Sequence, residues 1–259
     1  MPRLRVCGTT RSADRRQPPP QPPDEPLPSS FAGNILIPPL LTGTTFRLDI
    51  APSTHDFGNG LAVDTLGYNG SLLGPTLAWQ AGQTVTIDIH NHLDDHTSVH
   101  WHGIHLPAIM DGGPHSMIEH HDAFTATFPV LNEAATYWYH PHPHGMTARQ
   151  VYAGLAGLII VRDSVEAALA LPRTYGVDDL PLILQDKRFD DGQLLLSPLG
   201  DVMTVNGALD AYREVPAQHV RLRLLNGSVE RSYLLGFDDN RTFQVIAADA
   251  GLLGAPLPR

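Results

Sequence analysis

The chain reads as all-β, a sandwich or barrel of short strands. Three observations predict this. Apolar and polar residues alternate with period two over several runs. Asn-Gly, Asp-Gly and Gly-Gly-Pro turn signals separate those runs. Only one stretch, 164–171, carries a helical pattern. Taken in order, residues 1–30 are basic and then proline-rich (Pro18-Pro19-Pro20, Pro22-Pro23), which predicts a disordered or polyproline-type tail. From Phe31 the composition is that of a folded unit. Residues 84–90 alternate as a half-buried strand, 97–102 form another, and 122–130 alternate around Phe124 and Phe128. Residues 135–140 are aromatic-rich, and 155–161 are continuously apolar, as a fully buried strand would be. Turns fall at Tyr68-Asn69-Gly70, Asp111-Gly112-Gly113-Pro114 and Asp190-Asp191-Gly192. The short helix with the residues after it makes a linker, 164–179, between a first unit at 31–163 and a second at 180–259. The second unit predicts strands at 182–185, 220–225, 232–237 and 243–247. It spans about 80 residues where a complete sandwich takes about 100, so it reads as incomplete.

Composition narrows the partners. The chain has 259 residues, 42% of them hydrophobic, enough for a packed core. Its formal charge of −10 argues against nucleic acid as a partner. Cys7 is the only cysteine, so neither an internal disulfide nor a cysteine-rich zinc site exists. Lys187 is the only lysine. The longest apolar run is strand length, so no membrane span is expected. The arginines near the N-terminus lack the apolar stretch of an export signal, and Arg15-Arg16 is followed by proline.

Two short motifs carry the chemistry: His100-Trp101-His102-Gly103 and His140-Pro141-His142-Pro143-His144-Gly145. In an extended strand, residues two apart project from one face, roughly 6.8 Å from each other. His100 and His102 therefore point one way and Trp101 the other. His140 and His142 do the same around Pro141. Two such pairs facing each other would converge four nitrogen ligands, a metal site suited to copper, zinc, iron or nickel. His144 shares the spacing, but Gly145 turns the chain away. His90, His92, His96, His105, His115, His120 and His121 read as loop or rim residues, and His55 and His219 as structural. Trp101 and Trp138 read as core packing. Asp111, before Gly-Gly-Pro, suits a tight turn.

With those motifs in place the chain resembles the multicopper oxidases, especially the bacterial copper-efflux oxidase and laccase branch. Gly67-Tyr68-Asn69-Gly70 and Leu73-Gly74-Pro75-Thr76 are similar to the family's first-domain entry motif. The two histidine motifs, Asp111-Gly112-Gly113-Pro114 and Tyr137-Trp138-Tyr139 follow in the family's order. Leu184-Gln185-Asp186-Lys187, Val205-Asn206-Gly207 and the segment from Arg221 to Asn226 extend the likeness into the second unit. The resemblance implies a cupredoxin-like Greek-key sandwich plus an incomplete second one. It also implies a trinuclear copper cluster that reduces dioxygen to water with electrons from a small reducing substrate. By motif, His100 corresponds to a type 2 copper ligand, and His102, His140 and His142 to type 3 ligands. Asp111 corresponds to an outer carboxylate that moves protons. The family's cluster takes eight histidines, four of them from a last domain, and its type 1 site needs a cysteine. Only His219 follows His144, and no cysteine follows Cys7. The expectation is therefore the N-terminal portion of such an oxidase, inactive alone, needing a further C-terminal cupredoxin domain and located in the periplasm or outside the cell. The alternatives are a non-catalytic copper-binding module and, more remotely, a zinc hydrolase.

Overall fold

A computed structural model describes residues 33–58, 60 and 62–259; the tail expected at 1–30, Cys7 included, lies outside the described residues. Strands β1 (Gly33–Asn34) and β2 (Leu40–Thr42) lead into β3 (Thr45–Asp56), β4 (Ala62–Tyr68), β5 (Thr76–Gln80), β6 (Thr84–Asn91) and β7 (His100–His102). Then come β8 (Ala123–Pro129), β9 (Ala135–His140), helix α1 (Thr147–Ala153), β10 (Gly157–Arg162) and helix α2 (Ser164–Ala167). The rest comprises β11 (Asp179–Lys187), β12 (Phe189–Asp190), β13 (Gln193–Leu194), β14 (Val202–Val205), β15 (Ala211–Tyr212), β16 (Arg221–Asn226), β17 (Gln244–Ala248) and β18 (Gly251–Pro258).

Two sheets make the first sandwich. One has the order β4-β3-β6-β8 and the other β2-β5-β10-β9-β7, so neighbours in space are often distant in sequence. The alternation in β6 works as expected: Val85, Ile87 and Ile89 are buried, and the residues between them face outward. They join Phe46, Leu48 and Ile50 of β3 and Phe128 of β8 against Leu77, Trp79, Trp101, Tyr137 and Tyr139. Three aromatics stand at its centre, with Trp79–Trp101 ring centroids 5.9 Å apart and Trp101–Tyr139 6.0 Å. Continuous apolarity in β10 has a simple cause. Ile159 and Val161 face this core, while Leu158 faces a second cluster with Leu73, Ala156 and Ile183 of β11. β10 is thus a wall shared by two cores.

Beyond it, β11 pairs antiparallel with β14 and parallel with β16. All nine residues of β11 are buried, charged Asp179, Asp186 and Lys187 among them. Asp179 takes two bonds from Arg223 (2.7 and 2.9 Å) and one from Arg162 (3.1 Å). Glu166, in the segment expected as a linker, is bonded by Arg221 at 2.7 Å and Arg162 at 3.2 Å. That segment is pinned by charge between the two sheets.

Two expectations fail. The stretch 164–171 is not the only helix, since α1 forms directly after the second histidine motif and buries Gln150, Val151 and Tyr152. The helix at 164–171 itself narrows to the four residues of α2, started by the Asp163 side chain accepting the Glu166 N–H. Residues 232–237 alternate in exposure as a strand would, but no ladder forms there among the described residues. Alternation without a neighbouring strand leaves backbone groups unpaired, so it does not suffice.

Candidate metal centre

Strand pairing builds the site. In the antiparallel β7–β9 pair, His100 stands opposite His140 and His102 opposite Trp138. Cross-strand partners share a face, so three imidazoles and one indole occupy one side, while Trp101 and Tyr139 fill the core on the other. The nitrogen ligand atoms of His100, His102 and His140 all lie within 4.8 Å of one another. His102 Nδ1 and His140 Nε2 are 3.2 Å apart. His142 lies just past β9, its ring centroid 5.3 Å from that of His100 and 5.9 Å from that of His140. All four predicted histidines are therefore neighbours, with three in one tight group. His144 is exposed and outside it.

Two of the rings, His100 and His140, are held so that a nitrogen is left for the centre. His100 Nδ1 lies 3.0 Å from the Asp111 carbonyl and 3.3 Å from Asp111 Oδ1, directing Nε2 inward. His140 Nδ1 lies 2.9 Å from the Pro141 carbonyl, again freeing Nε2. The His142 backbone N–H donates to Ser98 Oγ at 2.9 Å. His142 Nδ1 is buried with no hydrogen-bond partner, an orphaned lone pair or N–H of the kind a metal ligand set explains. Burial pushes the His140 imidazole down to about 3, and the neighbouring imidazoles add to this against the opposing pull of the Pro141 carbonyl. His102 is lowered for the same leading reason. Both rings are therefore neutral near pH 7 and carry the lone pair a metal needs. An all-imidazole donor set without thiolate or converging carboxylate fits copper.

The turn at Asp111 depends on glycine. Gly112 has φ +65°, and a Cβ there would meet the Val99 carbonyl oxygen at 1.9 Å. Only a residue without a side chain lets this turn lie flat on β7 and bring Asp111 to His100.

Sequence reasoning missed several supporting residues. Trp138 does more than pack in a core: its ring centroid is 4.0 Å from that of His140 and 5.1 Å from that of His102. Ser98 anchors His142. Buried Gln150 on α1 accepts from Thr97 Oγ1 at 2.8 Å and donates to the His96 carbonyl at 2.9 Å, joining the two histidine segments. From the other side, α1 is held by β11. Gln185 Nε2 donates to the Val151 carbonyl (3.3 Å), Lys187 Nζ to the Tyr152 carbonyl, and the Arg188 N–H to the Tyr152 hydroxyl (2.6 Å).

Known proteins share this architecture. A family model described as multicopper oxidase matches residues 49–166. The chain is 42% identical over 216 residues to Multicopper oxidase mco of Staphylococcus aureus, covering 81% of this chain and 48% of that protein. It is also 42% identical over 231 residues to Cell division protein FtsP of Edwardsiella tarda, covering 85% and 49%. Among solved structures, a laccase from Pediococcus acidilactici matches with TM-score 0.84 and 36% identity, over 89% of this chain and 53% of that one. A laccase-like multi-copper oxidase, CueO, from Ochrobactrum sp. matches with TM-score 0.82 and 37% identity, over 87% and 53%. The chain spans about half the length of the curated relatives it matches. The fold is the cupredoxin-like sandwich expected from the sequence.

Proposed function

The chain belongs to the multicopper oxidase family, and from that premise we propose that it supplies half of a trinuclear copper cluster in a laccase-like oxidase. The reaction couples one-electron oxidation of phenols, other small reductants or cuprous ion to reduction of dioxygen to water. The observation that carries this reading is the group of imidazole nitrogens from His100, His102 and His140 within 4.8 Å of one another.

In this reading His100 is the type 2 ligand, and His102, His140 and His142 serve the type 3 pair. Copper, when bound, supplies the binding and stepwise reduction of dioxygen. The protein's own part is position and protonation. Strand pairing aims the rings, and burial keeps His140 and His102 neutral. Trp138 packs on two of the rings and limits their rotation. Asp111, with 37% of its side chain exposed and Oδ1 3.3 Å from His100 Nδ1, can take a proton from solvent and hold it beside the site where oxygen reduction consumes protons. The remaining cluster histidines and the type 1 cysteine set come from a further C-terminal cupredoxin domain, and the oxidase works in the periplasm or outside the cell. No helix among the described residues is long and apolar enough to cross a membrane.

Similarity to a cell division protein favours a second reading, in which the chain is a copper-binding or interaction module without turnover. Metal analysis, spin resonance and oxygen uptake separate the readings. The 259-residue chain should bind copper at the central histidines, lose that copper in His102→Ala and His140→Ala, and consume little oxygen. Uptake with a phenol should appear when the C-terminal domain is supplied. Absence of turnover in the reconstituted protein would favour the module. A zinc-only protein, or robust turnover by this chain alone, would overturn the cluster reading.

A further inference from the structure

A second pair of imidazoles has the two-residue spacing, on the opposite sheet. β6 buries Val85, Ile87 and Ile89 and turns Thr84, Thr86, Asp88 and His90 outward. The His92 N–H donates to the Ile50 carbonyl at 2.8 Å, which keeps the chain extended past the end of β6. His92 therefore falls on the same outer face as His90. Their ring centroids are 6.3 Å apart, with planes within 12°.

Asp49 joins them. It is the register partner of His90 on β3, and its Oδ1 lies 2.8 Å from His92 Nε2. Arg47 donates to both oxygens of Asp49 at 2.8 Å, and holds the carboxyl well below the usual carboxylate range. An ionised Asp49 only accepts, so the proton of this bond sits on His92 Nε2, and in the neutral ring Nδ1 is the nitrogen with the lone pair. Protein imidazoles that bind metals are held this way, one nitrogen on a carboxylate and the other free.

We propose that His90 and His92 form a second, solvent-facing chelate for cupric ion, with Asp49 fixing His92 in the binding tautomer. Cupric ion is the cation of choice because two imidazoles without thiolate follow the order that places it above nickel and zinc. The nitrogens are less converged than in the central site. His92 is 48% exposed and His90 partly so, which lets a rotation of the rings close the chelate at small cost. Asp49 need not leave Arg47, since its part is to accept from His92.

Cupric ion titrated into the full chain, followed by calorimetry, spin resonance and imidazole NMR, tests this. The His90 and His92 ring signals should broaden as a discrete event, and His90→Gln or His92→Gln should each lose one equivalent of bound copper. Asp49→Asn should weaken that equivalent by about tenfold or more. His121→Gln, which removes the neighbouring partner of Asp94, should leave it unchanged. Unaltered stoichiometry and affinity in His90→Gln and His92→Gln, or ring signals that stay sharp in the wild-type chain, would overturn the chelate. An Asp49→Asn variant that binds as tightly as wild type would overturn the role given to Asp49. Both substituted histidines lie on the surface, and the NMR readout needs no variant at all.

Discussion

The first sandwich and the sheet around β11 are held by different forces. Between the two large sheets the contacts are apolar, centred on Trp79, Trp101, Tyr139 and Phe128. Around β11 the interior also contains Asp179, Asp186, Lys187, Arg221 and Arg223, with Glu166 against them. Apolar contact has no direction and yields by degrees when atoms are removed. A buried carboxylate bonded by two guanidinium groups accepts one arrangement and fails badly when a partner goes. The first region should therefore respond to mutation gradually, and the second abruptly.

The largest test strikes the second region. Asp179→Ala leaves Arg223 charged and buried without its main partner. It should cost about 3–5 kcal/mol in urea unfolding. Replacing both partners, Asp179→Leu with Arg223→Met, should recover most of that loss, because paired removal leaves no uncompensated charge. A double variant as unstable as the single one would show that the region is not governed by its ions.

Lys187 gives an intermediate effect and a pH signature. Burial pushes its ammonium down to about 7 against an ordinary value of 10.5, with adjacent Asp186 opposing. Between these limits the unfolded chain binds the proton and the folded chain does not. Stability should therefore rise as pH climbs from about 7 toward 10.5. Urea midpoints measured across that range should show the rise in wild type and lose it in Lys187→Met. A slope that persists in the variant would assign it to other groups.

The smallest effect belongs to the first region. Ile159→Val removes one methylene from the fully buried centre of β10 and should cost about 0.5–1.5 kcal/mol, with copper uptake unchanged. A loss as large as that of Asp179→Ala would erase the contrast.

What could be read from the sequence follows from range. The strands at 84–91 and 123–129 and the shared face of each histidine pair come from period-two alternation, and the strand at 135–140 from its aromatic richness, both of which are local. The facing of one pair by the other rests on β7–β9 pairing, which the resemblance supplied and spacing alone could not. Helix α1 has seven residues, too few for a period of 3.6 to declare itself. Residues 232–237 had the alternation without the neighbour. Glu166 with Arg221 and Asp179 with Arg223 meet across 55 and 44 positions, so no local pattern announces them. Asp111 looked like a turn residue and is one; its contact with His100 needs Gly112 lying against β7.

Helix α1 hangs between the two regions, fastened to the loop before β7 by one glutamine, to β11 by a lysine and a second glutamine, and to the residue after β11 by its backbone amide. It follows the second histidine motif after a single residue, Met146. The stiffness of that motif is therefore borrowed from a sheet that contributes no imidazole to the centre. Heat or denaturant that loosens β11 should slacken His142 while the aromatic interior still stands, so copper would be shed before the chain unfolds.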